Sequence, residues 1–210
     1  EANLRGGDHV RLNLIRDPSV GAGSQEPAFA ETVVLSEIEP RQNTPSQELR
    51  LDDYLTPQSI RWSAGNEARI YNISFLFEVE ETPMDGGPST TSVIRWEVAK
   101  NFEPENPNDP FVSVRFTGGA FVVDPNIERR INDISLEYAG AGQEIVDFLQ
   151  ISNANIGITS SQNIPIYTNV ENGRGVLSSR AFAYRTGFSL TSLSRDSLRN
   201  GIFTRDLNFR

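Results

Sequence analysis

Apolar and polar residues alternate along several stretches of this chain, most extensively over Ala68-Arg-Ile-Tyr-Asn-Ile-Ser-Phe-Leu-Phe-Glu-Val-Glu80. Successive side chains of an extended strand point to opposite faces, so the spacing sorts this segment into two sets. Tyr71, Ile73, Phe75, Phe77 and Val79 form an apolar stripe, while Ile70, Asn72, Ser74, Leu76, Glu78 and Glu80 share the other face. Asp85-Gly-Gly-Pro88 reverses the chain, and Ser92-Val-Ile-Arg-Trp-Glu-Val98 returns as a partner strand, which predicts a long hairpin. Ser59-Ile-Arg-Trp62 precedes the hairpin across a turn at Ala64-Gly-Asn-Glu67. Beyond the Pro- and Asn-rich loop Phe102–Pro110, residues Phe111–Phe116 and Asn126–Tyr138 read as further strands. In the second of these Ile134, Leu136 and Tyr138 share a face.

Helical spacing is rarer. Ile145, Val146, Phe148 and Leu149 within Gly142–Gln150 make the stripe of a short amphipathic helix. Ser194-Arg-Asp-Ser-Leu-Arg-Asn200 predicts a second helix, with Ser194 at its N-cap and Gly201 just past its end. Thr204–Phe209 then reads as a terminal strand. At the other end, His9–Ile15 and Phe29–Leu35 alternate as strands around the loop Gly21-Ala-Gly-Ser-Gln-Glu-Pro27. Two strands alone are marginal in water, so they are expected to join an upstream β module or pack onto the rest of the chain. Pro40–Gln47, polar and broken by two prolines, reads as a linker. The expected division is therefore residues 1–47 and a main β domain at 48–210.

An aromatic residue before a short turn, followed by Ala68-x-x-Tyr71-x-Ile73-x-Phe75, resembles two core strands of fibronectin type III-like and immunoglobulin-like sandwiches. The expected fold is accordingly mainly β, an antiparallel sandwich of that kind carrying two or three short helices. A second resemblance is carried by Trp62, Arg95-Trp96, Gly140-Ala-Gly-Gln-Glu-Ile-Val-Asp-Phe-Leu149, Ile166-Tyr-Thr-Asn-Val-Glu-Asn-Gly-Arg-Gly-Val-Leu-Ser-Ser-Arg180 and Phe203–Phe209. Together these look like the C-terminal two-thirds of uncharacterised outer-membrane lipoproteins of the Bacteroidota, over roughly residues 55–210. That resemblance implies a lipid-anchored protein of the cell envelope, periplasmic or surface-exposed, with membrane contact only through the anchor. It carries no catalytic residues with it. The anchoring Cys of such proteins does not occur in this sequence.

Composition narrows the chemistry more than it names it. The 210 residues include no Cys, which removes disulfides, thiol nucleophiles and thiolate metal sites. His9 is the only histidine, and no metalloprotease, P-loop or nucleophile-elbow motif occurs. Gly21-Ala-Gly-Ser24 lacks the strand and helix of a phosphate loop and reads as a turn. No apolar run reaches the length that spans a bilayer. With no initiator Met and no leader-like segment at Glu1, the chain is expected to start at or after a processing boundary. Net charge is −9, yet the stretch from Asn172 onward has seven Arg against two Asp, +5, leaving −14 elsewhere. Such a molecule repels polyanions, so nucleic acid is not an expected partner.

Carboxylates are the remaining reactive groups. Glu78 and Glu80 share a strand face and Glu97 lies on the partner strand, so a carbohydrate-active enzyme is one alternative. A solvated acidic face, with Arg95 pairing across strands, is the simpler expectation. Glu105–Asp109 and Asp124-Pro-Asn126 supply oxygen donors that suit either Ca²⁺ or their own turns; no other cofactor is expected. Asn172-Gly173 predicts a type I′ hairpin turn, with Gly175 permitting a close backbone approach. Asn172, Gly173, Arg174 and Arg180 are the candidate ligand contacts. Trp62 and Trp96 are expected in the core; exposed, they would form a sugar-stacking platform. The function expected is non-enzymatic: a binding or accessory module engaging protein or glycan at the cell surface. The second alternative is a structural subunit of a surface assembly that uses an unpaired N-terminal edge strand.

Overall fold

The alternation of buried and exposed side chains along two long strands organises the molecule. The computed structural model describes residues 3–15, 26–51, 57–65, 67–116, 119–154 and 167–210. In chain order these form β1 (His9–Leu14), β2 (Ala28–Val33), β3 (Glu39–Pro40), β4 (Glu48–Leu49), β5 (Gln58–Ser63), β6 (Ile70–Pro83), β7 (Thr90–Phe102), β8 (Phe111–Val114) and β9 (Ile127–Ala141). Helix α1 (Gln143–Ala154), β10 (Val170–Glu171), β11 (Arg180–Arg185), β12 (Ser189–Leu190) and helix α2 (Ser192–Asn200) complete the sequence of regular elements, followed by a 3-10 turn at Arg205–Leu207. The Gly21-Ala-Gly-Ser24 turn and Asn66 of the turn before β6 lie outside the described residues.

The main sheet has the order β11-β9-β6-β7, antiparallel throughout. The predicted apolar stripe of β6 faces inward, and so do Ile134, Leu136 and Tyr138 of β9. A second sheet, β3-β5-β8, is apposed to that face through Ile60 and Trp62, both fully buried. Trp62 lies edge-on to Tyr71 with ring centroids 5.0 Å apart, and Trp96 stacks on Phe75 at 5.5 Å. Phe116, Phe121, Phe188 and Phe209 continue the same core. Both tryptophans thus belong to the interior side, Trp62 fully and Trp96 partly buried. Among the described residues the fold is mainly β, an antiparallel sandwich with two α-helices, as expected.

The N-terminal hairpin does not stand alone. β1 pairs with β2, and β10 from the far end of the chain adds to the other side of β2. Leu35 and Ile38 enter the main core, and the Leu35 N–H donates to Ser179 Oγ at 3.0 Å. The segment read as a linker is tied to the second sheet. Pro40 lies opposite Trp62, and the Arg61 N–H donates to the Thr44 carbonyl at 3.2 Å. Arg185 reaches the Pro45 carbonyl at 2.6 Å and Gln47 Oε1 at 3.1 Å.

Two terminal expectations change. The N-cap of α2 is Thr191, whose hydroxyl accepts the Ser194 N–H at 3.0 Å, and Ser194 lies inside the helix. Ser194 is buried because its hydroxyl accepts from the Leu51 N–H at 2.8 Å and donates to the Leu49 carbonyl at 3.0 Å. It fastens α2 to β4, which pairs in parallel with β12. Gly201 closes α2 in an extended conformation while its N–H bonds the Ser197 carbonyl. The predicted strand Thr204–Phe209 is instead a 3-10 turn, ended by Asn208 at φ 56°. Only Phe209 bridges to a strand, beside Arg129.

Candidate functional site

The face of the main sheet turned away from the core is half covered. Helix α1 packs Ile145, Val146 and Leu149 on Ile70 and Ala141 at one end. That explains why Ile70, on the polar side of the β6 alternation, is buried. Between α1 and the open part of the sheet lies a groove of about 340 Å³. Its walls include Asn72 and Ser74 of β6, Arg95 and Glu97 of β7, Glu137 of β9, Arg180 and Phe182 of β11, and Phe148 of α1.

Strand register decides which of these groups meet. Ser74 lies opposite Glu97 on one side and Glu137 on the other, and Leu76 lies opposite Arg95. Tyr184 of β11 lies opposite Glu137. The Arg95 guanidinium therefore reaches diagonally over β6 and forks onto Glu137, donating through Nη1 to Oε1 and through Nη2 to Oε2, the latter at 3.2 Å. The Tyr184 hydroxyl donates to Oε2 of the same carboxylate at 3.0 Å. Hydrogen bonding from Arg95, helped by Tyr184, holds the Glu137 carboxyl below the ordinary carboxylate range against the opposing effect of burial. The same contact raises the Arg95 guanidinium and the Tyr184 phenol.

Beside this polar cluster stands an exposed aromatic pair. Phe182 and Tyr184 are 56% and 57% exposed on one face of β11, two residues and so about 7 Å apart. Ala181 and Ala183 face the core instead. β11 thus inverts the usual pattern, turning small residues inward and large apolar ones outward. At the mouth of the groove the Asn101 N–H donates to Asn72 Oδ1 at 2.7 Å, with Asn101 at φ 48° beside a register shift in the β6–β7 ladder. Such irregularities re-aim side chains next to binding sites.

The four candidate contacts fall into separate roles. Arg180 lines the groove and an adjoining cleft bounded by Ile145, Phe148, Val176 and Ser178, and forms no ion pair among the described residues. Asn172 and Gly173 instead pack against the start of β2, and Arg174 is exposed nearby. The type I′ turn expected there is not formed. Asn172 is left-handed at φ 55°, but Gly173 is not at positive φ, and β10 pairs with β2 rather than with the residues after the turn. The loop is closed by its own side chains: Asn169 Nδ2 donates to the Leu177 carbonyl at 2.7 Å and the Leu177 N–H donates to Asn169 Oδ1 at 2.9 Å. Gly173 is needed for space, since a Cβ there would lie 2.9 Å from Val170 Cγ1 and 3.3 Å from Ala28 Cβ. Gly175, at φ 141°, takes the backbone conformation closed to most residues.

The carboxylates singled out from the sequence also separate. Glu97 lines the groove and lies 3.7 Å from Lys100. Glu78 and Glu80 share the outward face as expected but lie outside the groove, with Glu80 between Arg130 and Arg210 at 4.0 and 3.8 Å. Oxygen donors in the two Asn/Asp loops serve turns: Asn106 Oδ1 accepts the Asn108 N–H and Asp124 Oδ1 the Asn126 N–H. Asp109 pairs with Arg61 and Arg41 at 2.7 and 3.1 Å. Among the described residues no three His, Cys, Asp or Glu converge as a metal cage. His9 is exposed on β1. Glu137, Phe182 and Tyr184 escaped the sequence reading; the alternation Arg180-Ala-Phe-Ala-Tyr-Arg185 was the available signal. Compared with protein-family models, curated proteins and solved structures, the chain matches none of them.

Proposed function

We propose that this chain is a non-enzymatic carbohydrate-binding module of the cell envelope, and that its ligand lies in the groove between α1 and the outward face of β11-β9-β6-β7. The observation that carries this reading is the exposed Phe182–Tyr184 shelf set beside a fixed polar cluster. A sugar ring offers an apolar C–H face and a rim of hydroxyls. Aromatic rings accept the first, and Arg95, Glu97, Glu137, Asn72 and Asn101 accept and donate to the second. Because Arg95 and Tyr184 already orient Glu137, its carboxylate is presented without a further ordering cost. The envelope location, with a lipid anchor as the only membrane contact, is supported by the resemblance of roughly residues 55–210 to outer-membrane lipoproteins.

The state of Glu137 argues against it as the general acid of a glycoside hydrolase. Acid/base cleavage requires one carboxyl kept protonated near neutral pH, whereas Glu137 is held ionised by its partners. The test is a glycan array followed by calorimetry on the strongest oligosaccharide, with a product assay on the same sugar. Phe182→Ala/Tyr184→Ala, both exposed, leaves the melting temperature within about 2 °C and weakens binding at least about tenfold. An array without hits, or binding that survives the double substitution, overturns the site. Sugar release that disappears in Glu137→Gln makes the protein an enzyme.

A further inference from the structure

β1 is the outer strand of the sheet β1-β2-β10, and among the described residues no strand covers its free side. Its hydrogen-bonding phase is set by one contact. The Val34 N–H donates to the Asp8 carbonyl at 2.8 Å, so the Asp8 carbonyl faces β2. Backbone groups alternate along a strand, so Val10, Leu12 and Leu14 also direct theirs to β2. His9, Arg11 and Asn13 direct theirs to the open edge. The side chains divide differently. Val10, Leu12 and Leu14 share one sheet face, and Leu12 and Leu14 remain 43% and 50% exposed. Arg11 lies on the other face, 4.0 Å over the Phe29 ring and 3.4 Å from Glu31. A free edge with apolar side chains and no inward charge is the form that invites another strand.

We propose that this edge pairs antiparallel with the same strand of a second copy, about a two-fold axis through Leu12. Self-pairing must bond outward-facing residues to one another. A two-fold at Arg11 would set two guanidinium groups directly opposite, which is unfavourable. Moving the axis by one residue to Leu12 places Arg11 against Asn13 of the partner subunit as the hydrogen-bonded pair. Leu12 then meets Leu12 of the partner subunit at a close, non-hydrogen-bonded position, and Val10 meets Leu14 of the partner subunit. This register keeps the apolar residues on one face and joins two three-stranded sheets into one of six. Only five residues of each copy take part, so the association is weak and concentration-dependent.

The chain has no Cys, which makes a cross-linking test clean. Cα atoms at a non-hydrogen-bonded pair lie about 4.5 Å apart, within disulfide range. Under mild oxidation Leu12→Cys forms a disulfide dimer in high yield, while Leu14→Cys, which does not meet itself across the axis, stays largely monomeric. Sedimentation equilibrium of the unmodified protein shows a rise from 23.3 kDa toward twice that mass as concentration increases to the millimolar range. Arg11→Pro removes an outward N–H and no β1–β2 bond, so it abolishes the rise. Arg11→Ala keeps that N–H and retains the dimer. A mass that stays at one chain throughout, equal cross-linking of the two Cys variants, or dimerisation of Arg11→Pro each overturns the proposal.

Discussion

Replacing Arg129 with Met removes the one strongly buried guanidinium among the described ion pairs and tests what holds the C-terminal segment in place. Arg129 sits on β9 directly opposite Glu81 of β6, and its Nε donates to Glu81 Oε1 at 2.9 Å. Its Nη1 donates to the Leu207 carbonyl at 3.1 Å. The backbone repeats the attachment: the Arg129 N–H donates to the Asn208 carbonyl and the Arg210 N–H to the Arg129 carbonyl, each at 2.9 Å. Phe209, held between these bonds, packs edge-on against Phe121 at 5.1 Å. Met preserves the length and apolar contact of the stem while leaving a carboxylate and a carbonyl without their donor.

Removing one partner of a buried ion pair costs about 3–5 kcal/mol, chiefly by stranding the other charge. Glu81 keeps some access to water, which recovers part of that cost, while the orphaned Leu207 carbonyl adds to it. A loss of about 3 kcal/mol is expected. For a chain of this size each kcal/mol moves the melting temperature about 2–4 °C, so the midpoint falls by about 6–12 °C. Urea unfolding followed by tryptophan fluorescence should show a lower midpoint with an unchanged slope. Adding Glu81→Gln to Arg129→Met removes the stranded charge and restores part of the loss. A Met variant within about 0.5 kcal/mol of the parent protein refutes the reasoning. A double variant no more stable than the single refutes the charge account specifically.

Gly173→Ala destabilises by about 1–3 kcal/mol through overpacking, because its Cβ meets Val170 and Ala28. Thermal melts in which Val170→Ala fails to restore Gly173→Ala would show that space is not the cause. Glu137, with its carboxyl lowered by Arg95, contributes stability above the ordinary carboxylate range that is lost as pH falls through its folded value. The stability gap between the parent protein and Glu137→Gln is therefore fully open at pH 7 and closes below about pH 4. A gap that does not change between these pH values contradicts the Arg95–Glu137 assignment.

The inward half of the fold was readable because period-2 alternation and burial report the same thing. Tyr71 through Val79 and Ile134 through Tyr138 had to face a core whatever the connectivity. Local hydrogen-bonding groups were less informative, since one hydroxyl can serve two purposes. Ser194 has the chemistry of an N-cap, yet a distant strand, with the Leu49 carbonyl and Leu51 N–H, claims its hydroxyl and leaves the cap to Thr191. The terminal strand failed for a related reason. Thr204–Phe209 alternates well enough, but Arg129 offers one donor to the Leu207 carbonyl and a short backbone bridge, and a tight turn satisfies both. In Asn172-Gly173 the residue pair suited a hairpin turn, but the strand before it found its partner in β2, far away in sequence.

The outward face obeys a different logic, and that is why the candidate site stayed hidden. Glu78 and Glu80 drew notice because they are close in sequence, whereas the polar cluster gathers Arg95, Glu137 and Tyr184 from three strands whose register only the folded sheet supplies. Arg95 does pair across strands as expected, but diagonally to β9 rather than with an acidic neighbour on β6. The aromatic shelf had one sequence trace. In Arg180-Ala-Phe-Ala-Tyr-Arg185 the alternation is between small and large apolar residues, so hydrophobicity alone does not say which set faces inward. Packing shows it: Tyr71, Phe75 and Phe77 of β6 and Tyr138 of β9 lie in the interior, and Ala181 and Ala183 of β11 pack against that cluster. Phe182 and Tyr184, on the opposite face, are turned toward water, although outward exposure of two aromatics costs hydrophobic stabilisation. A ligand with an apolar face recovers that loss on binding, which is the physical reason to look for one there.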